Sequence, residues 1–264
     1  MTKKLGDFKL PDTLYKFRDW NNKYHRELLH KQIAFFASPK SFNDPFDCKI
    51  PIRYDIEPER QLEDIYYSVA KACYPNASVD EIRNFAKKQV IEGSISPTSF
   101  KKNDSEYFKN LDSRMGIFSL TQHNDDILMW GHYANAHSGF CVGFDSSELL
   151  KIENVDYLGK VGYHSDFPTI LPKGNLTENF EKQIFSKWDK WSYEDEFRLT
   201  KNHIDDRKIM LPKKAFKEII LGYNMNLTER RKLIQLVNKK HIGIKIYEAK
   251  PHKDRFKIEI SRIN

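Results

Sequence analysis

Cysteine is scarce in this sequence and widely scattered. Cys48, Cys73 and Cys141 form no CxxC pair, which argues against a disulfide framework and a cysteine-based zinc site and fits a reducing cytoplasm. Glycine-rich phosphate loops are missing too. With neither GxxxxGK[ST] nor GxGxxG, P-loop and Rossmann nucleotide binding are poor readings. No Gx[ST]xG elbow occurs, which removes the commonest serine hydrolase design. No apolar run approaches membrane-spanning length, and the opening MTKKLGDFKLPD holds no apolar signal core. A soluble cytoplasmic protein with no membrane partner is expected.

What is present is bulk and a mild basic excess. Hydrophobic residues make up 39% of 264 and aromatics 13%, enough for one large core, so residues 1–264 are expected to form a single domain. The formal net charge of +7 favours polyanionic partners such as nucleic acid or a phosphate-bearing small molecule. A solvated lysine-rich surface fits equally, because no dense Arg/Lys block occurs.

Along the chain the pattern is α+β. TLYKF (13–17) and QIAFFASP (32–39) read as strands, with a polar helix between them through His30. SFNDPFD (41–47) is a loop by its Asn43-Asp44-Pro45 chemistry. Helical periodicity then runs across 55–112, where Ser78 precedes Glu81 by three residues as in a capping box. That stretch is expected to be a helical insertion or cap. GIFSLTQ (116–122) and GFCVGFD (139–145) are strands flanking a short helix in DDILMWGHYANAH, with Asp125 or Asp126 as its cap. NLTE opens two helical stretches, 175–191 and one from 226. KEIILGY, GIKIYEAK and FKIEIS add closing strands, for roughly seven to nine in all.

LYKF, FASPKSFNDPFDC, FSLT, LMWGHYANAHSGFCVGFD and WSYEDEFRL, in that order, resemble the bacterial family catalogued as domain of unknown function 2971. More distantly, the order of a basic residue on the first strand (Lys16 or Arg18), Ser119-Leu120-Thr121 and Glu194-x-Glu196 looks like the Arg–Ser–Glu layout of ADP-ribosyltransferases. That resemblance implies a split, mostly antiparallel sheet with a helical insertion, NAD as cofactor, and a nucleic-acid or protein acceptor in a bacterial defence or toxin setting. FSLT departs from a clean Ser-Thr-Ser, and Arg18 ends its strand, which bears on the cofactor pocket more than on the glutamates.

The chemistry explains each requirement. Loss of nicotinamide leaves a ribose with oxocarbenium character, as in glycoside hydrolysis. A carboxylate beside the ribose, Glu196, stabilises that charge, and Glu194 addresses the acceptor. Arg18, with Lys16 as understudy, neutralises the phosphates. Ser119 and Thr121 brace the ribose, and Tyr133 or Trp130 stacks on nicotinamide. Arg198 is a further cofactor contact, or else simply the ion-pair partner of Glu196. Glu-x-Glu also suits an ordinary edge strand that faces water.

His132 is a candidate base or phosphate ligand, and equally a capping histidine. His123, His132, His137 and Cys141 make a poor metal set, since His132 and His137 lie five residues apart. Two alternatives remain open: a metal-dependent nuclease built on Asp44, Asp47 and His132, or a non-catalytic module that binds nucleic acid or a partner. Asn43, Asp44 and Asp47 fit an Asx-Pro turn more readily than a Mg2+ site. Acceptor, oligomeric state and trigger are not encoded in these motifs.

Overall fold

A computed structural model of the protein describes residues 3–92 and 97–263, without the side chains of 97–103. Residues 93–96 of the expected helical insertion therefore lie outside the described residues. The chain divides into two compact units. One joins Met1–Ser41, Arg114–Tyr163 and Asp189–Asn264, and the other joins Phe42–Ser113 and His164–Trp188. The helices expected across 55–112 belong to the second unit, which also takes in residues 42–54 and 164–188.

The first unit is built on a mixed, mostly antiparallel sheet of nine strands. Its strands are β1 (Lys3–Leu5), β2 (Thr13–Arg18), β4 (Gly116–Thr121), β5 (Phe140–Asp145), β6 (Tyr157–Lys160), β9 (Glu196–Lys201), β11 (Phe216–Leu221), β12 (Lys245–Pro251) and β13 (Ile258–Arg262). In space they run β1-β6-β9-β4-β2-β5-β11-β12-β13, and only β1–β6 and β11–β12 pair in parallel. A short antiparallel pair joins β3 (Ile33–Phe35) to β10 (Lys208–Met210).

Both faces of the sheet are covered, which is why its central strands are apolar throughout rather than alternating. On one face Leu14, Phe118, Leu120, Phe197 and Leu199 meet Leu28 and Leu29 of α1 (Lys23–His30), Leu149 of α6 (Ser146–Leu149), and Leu233 and Val237 of α8 (Leu227–Lys240). On the other, Phe17, Cys141 and Ile220 meet Met129 and Trp130 of α5 (Ile127–Tyr133). Caps expected from sequence form: Asp126 accepts from the Met129 N–H at 2.8 Å, and Asn226 accepts from Glu229 at 2.9 Å.

In the second unit lie α2 (Glu59–Cys73), α3 (Val79–Glu92), α7 (Leu176–Phe185) and β8 (Ser186–Trp188), with α4 (Pro97–Arg114) ending one residue past its border. Strand β7 (Gly162–His164) begins in the first unit. The capping box closes as expected, Glu81 accepting from the Ser78 N–H at 2.8 Å and donating its own N–H to the Ser78 hydroxyl at 3.3 Å. The helix expected over 175–191 stops at Phe185. Ser186 is already extended (φ −114°, ψ 141°), and the strand that follows lets the nearly buried Lys187 ammonium reach Asp47 at 3.7 Å. Tertiary pairing overrides helical periodicity here.

Candidate functional site

The segment WSYEDEFRL is not extended throughout, contrary to its spacing. A 3-10 turn occupies Asp189–Glu194, Asp195 takes a left-handed φ of +38°, and β9 begins only at Glu196. Aspartate tolerates that conformation better than most residues. Glu194 and Glu196 are therefore not neighbours on one strand face, yet both are buried, at 4% and 3% exposed. Burying a carboxylate costs several kcal/mol unless a partner offsets it.

Each glutamate has such a partner. Glu196 takes a two-pronged ion pair from the fully buried Arg198, Nε to Oε1 at 2.8 Å and Nη2 to Oε2 at 2.9 Å. Arg198 sits two residues along β9, on the same side of the strand. Glu194 accepts the Tyr133 hydroxyl at 2.6 Å. Tyr163 Oη accepts the Glu196 N–H at 2.9 Å, and burial, reinforced by the Glu196 and Glu194 charges, raises its pKa so that the phenol stays protonated. Between the glutamates, Asp195 turns outward to Lys160 at 2.8 Å and His123 at 3.3 Å.

Register fixes the neighbours. Thr121 stands opposite Glu196 on β9 and opposite Tyr15 on β2, so Glu196, Thr121 and Tyr15 form one row on one face. Ser119 lies opposite Arg198. The Thr121 hydroxyl accepts from the His123 N–H at 3.1 Å. The Tyr15 hydroxyl donates to Glu218 at 2.9 Å.

Lys16 and Arg18 go elsewhere. Both stand over the ring of Phe118, at 5.2 and 5.8 Å, which puts them on the face opposite the Glu196 row. They line the one weak joint in this part of the sheet. β4 makes a six-residue register with β9 but pairs with β2 only at Tyr15–Thr121. Beyond that pair the Lys16 ammonium caps the Ser119 carbonyl at 2.6 Å. Burial alone pushes the Arg18 guanidinium down to about 10, and among the described residues no carboxylate pairs with it. Burial, then the Arg18 and Lys16 charges, pushes His25 down to about 4, and its Nδ1 accepts the Asp19 N–H at 3.2 Å.

Of the two rings expected to stack on a ligand, Trp130 has no face to offer. It is fully buried, edge-on to Phe17 at 5.0 Å, with its indole N–H bonded to the Asn124 carbonyl at 2.8 Å. Tyr133 is half-buried, and the exposed His132 lies 6.3 Å from it and 6.4 Å from Tyr193. Asp44 accepts the Phe46 N–H at 2.9 Å, the Asx turn its Pro45 suggested, and Asp47 pairs with Lys187. Among the described residues no three His, Cys, Asp or Glu side chains gather as a metal set. Cys48, Cys73 and Cys141 take part in no disulfide, and no described helix is long and apolar enough to cross a membrane.

Tyr15, Tyr163 and His25 escaped sequence reasoning. Tyr15 had a signal, standing two residues from Phe17 in a strand already recognised; Tyr163 and His25 reach the site only through pairing that no local pattern reports.

Residues 129–199 match a family model described as "Protein of unknown function (DUF2971)". This segment holds all but the first two residues of α5, all of β5 and the whole of WSYEDEFRL, so Tyr133, Glu194, Glu196 and Arg198 all lie within it. No curated protein and no solved structure matches the chain.

Proposed function

We propose that the protein is an NAD-using ADP-ribosyltransferase-like enzyme, acting in the cytoplasm on a nucleic-acid or protein acceptor. One observation carries the reading: the three strands bearing the basic, hydroxyl and glutamate elements are neighbours, β2, β4 and β9, and the sheet parts between the first two. A dinucleotide fits that division of labour. Its phosphates suit the uncompensated Arg18, because a desolvated guanidinium gains most from an anion. A ribose suits the Glu196 row, which lies two strands away and on the other face of the sheet, so one ligand meets both only through the parting between β2 and β4. Arg198 holds the Glu196 carboxylate in one orientation, and Tyr133 does the same for Glu194. Preorganised charge of this kind stabilises a cationic transition state without reorganisation at the moment of reaction.

Incubation of the protein with NAD and a cell extract, followed by assay of free nicotinamide, tests the reading. Release by the wild type, with Glu196→Gln reduced at least about a hundredfold in kcat and Arg18→Gln raised chiefly in KM, is the expected outcome. Equal release by wild type and Glu196→Gln ends the assignment. Melting temperatures of both variants show whether each remains folded.

A further inference from the structure

The second unit contains a cavity of about 320 Å3 lined in part by Phe46, Phe167 and Trp188. These three rings stay 55%, 51% and 47% exposed. Scattered apolar side chains on a surface need no explanation, but three aromatic rings gathered on one concavity mark a binding surface. Phe46 and Phe167 stand 5.9 Å apart at an interplanar angle of 59°. They make an open corner rather than a closed stack, and an open corner leaves ring faces for a third ring.

The polar groups sit beside these rings. Ser165 donates to Asp166 at 3.0 Å, and both line the cavity. Lys187 lines it as well, but its ammonium is held 3.7 Å from Asp47, with both side chains nearly buried. A carboxylate and a hydroxyl on one apolar pocket suit a flat ring whose edge carries both hydrogen-bond donors and acceptors. A plain hydrocarbon ring would offer these groups no hydrogen bond, and an aliphatic ligand would leave the ring faces unused.

The geometry points to a nucleobase site: a purine or pyrimidine stacks in the Phe46–Phe167–Trp188 corner, with its edge toward Ser165 and Asp166. Aromatic side chains bind every base through its π-face, and the hydrogen-bonding edge supplies preference among bases. The volume lies at the low end of the range for small-molecule sites, about 300–1,000 Å3. It accommodates a base with its sugar rather than a whole dinucleotide. This site is separate from the one proposed for NAD, since every lining residue lies in the second unit.

Calorimetric titration of the full chain with adenosine, guanosine, cytidine and uridine, using indole and benzoate as rings without a base's edge, tests this. At least one nucleoside is expected to bind saturably and tighter than indole. Phe167→Ala and Trp188→Leu should each weaken it about tenfold or more without altering the circular dichroism spectrum, and Asp166→Asn should change which base is preferred. Glu196→Gln should bind nucleoside like the wild type whether or not NAD turnover is found. Failure of all four nucleosides to saturate the folded protein overturns the proposal. So does indole binding as tightly as the best nucleoside, or affinity that survives both ring substitutions.

Discussion

The two edges of β4 are built on different principles. Toward β9 the strand is zipped residue by residue from Gly116–Lys201 to Thr121–Glu196. Toward β2 it is stitched at Tyr15–Thr121 and then held by a lysine ammonium on the Ser119 carbonyl. On the zipped side a backbone ladder fixes register and side chains merely decorate it. On the parted side a charged side chain stands where the next ladder bond would be. The zipped edge can bury an ion pair in fixed geometry. The parted edge places two cations beside an unpaired stretch of ladder.

The zipped edge should break hardest. Arg198→Met strands the Glu196 carboxylate in a buried setting, with an expected cost of about 3–5 kcal/mol in urea unfolding. Glu196→Leu combined with Arg198→Met should recover most of that loss, because two apolar groups leave no orphaned charge. A double variant as damaged as the single one would show that this ion pair is not what the burial of Arg198 depends on.

The parted edge should yield locally. Lys16→Met keeps the apolar stem over Phe118 and removes the ammonium from the Ser119 carbonyl. The expected loss is about 2 kcal/mol, the usual cost of a charged hydrogen bond to a half-buried acceptor. Hydrogen exchange distinguishes this from general destabilisation: amides of β2 and β4 near Ser119 should exchange faster while the β4–β9 ladder keeps its protection. Equal acceleration along both edges would remove the distinction between them.

The same contrast explains what could be read from sequence. Strands β2, β4, β5, β11, β12 and β13 were legible because their apolar composition reflects burial on one or both faces. β1 and β6, KKL and YLGK, carry almost no pattern, and they exist because they pair with each other and with β9. Lys16 and Arg18 were legible as a basic pair two residues apart. Their face was not, since it depends on which residue of β4 stands opposite Tyr15. The glutamates were singled out on a wrong backbone: spacing alone implies an extended chain, whereas Asp195 takes a left-handed φ and pairs with Lys160 and His123. Arg198 was legible as the partner of Glu196, because an i, i+2 pair on a strand shares a face.

The smallest effect belongs to His25, beside the parted edge. Burial and the neighbouring Arg18 and Lys16 charges, partly countered by Asp19, lower its pKa from the ordinary 6.5 to about 4. A base with a depressed folded pKa is neutral in the native state where the unfolded chain has already taken up a proton. Unfolding therefore binds protons between pH 6.5 and 4, and stability falls on acidification across that window, with no further loss from this group below it. For a half-buried ring, screening by solvent reduces the effect to about 1 kcal/mol. His30, His137 and His241 are also lowered, chiefly by burial, so the quantity to measure is the difference between wild type and His25→Gln in urea unfolding at pH 7 and pH 4. The variant should lose less stability than the wild type over that interval. In a Lys16→Met background the difference should shrink, because one of the two cations opposing the histidine proton is gone. If it is unchanged there, the lysine's charge does not reach His25, and the cluster at the parted edge reduces to Arg18 alone.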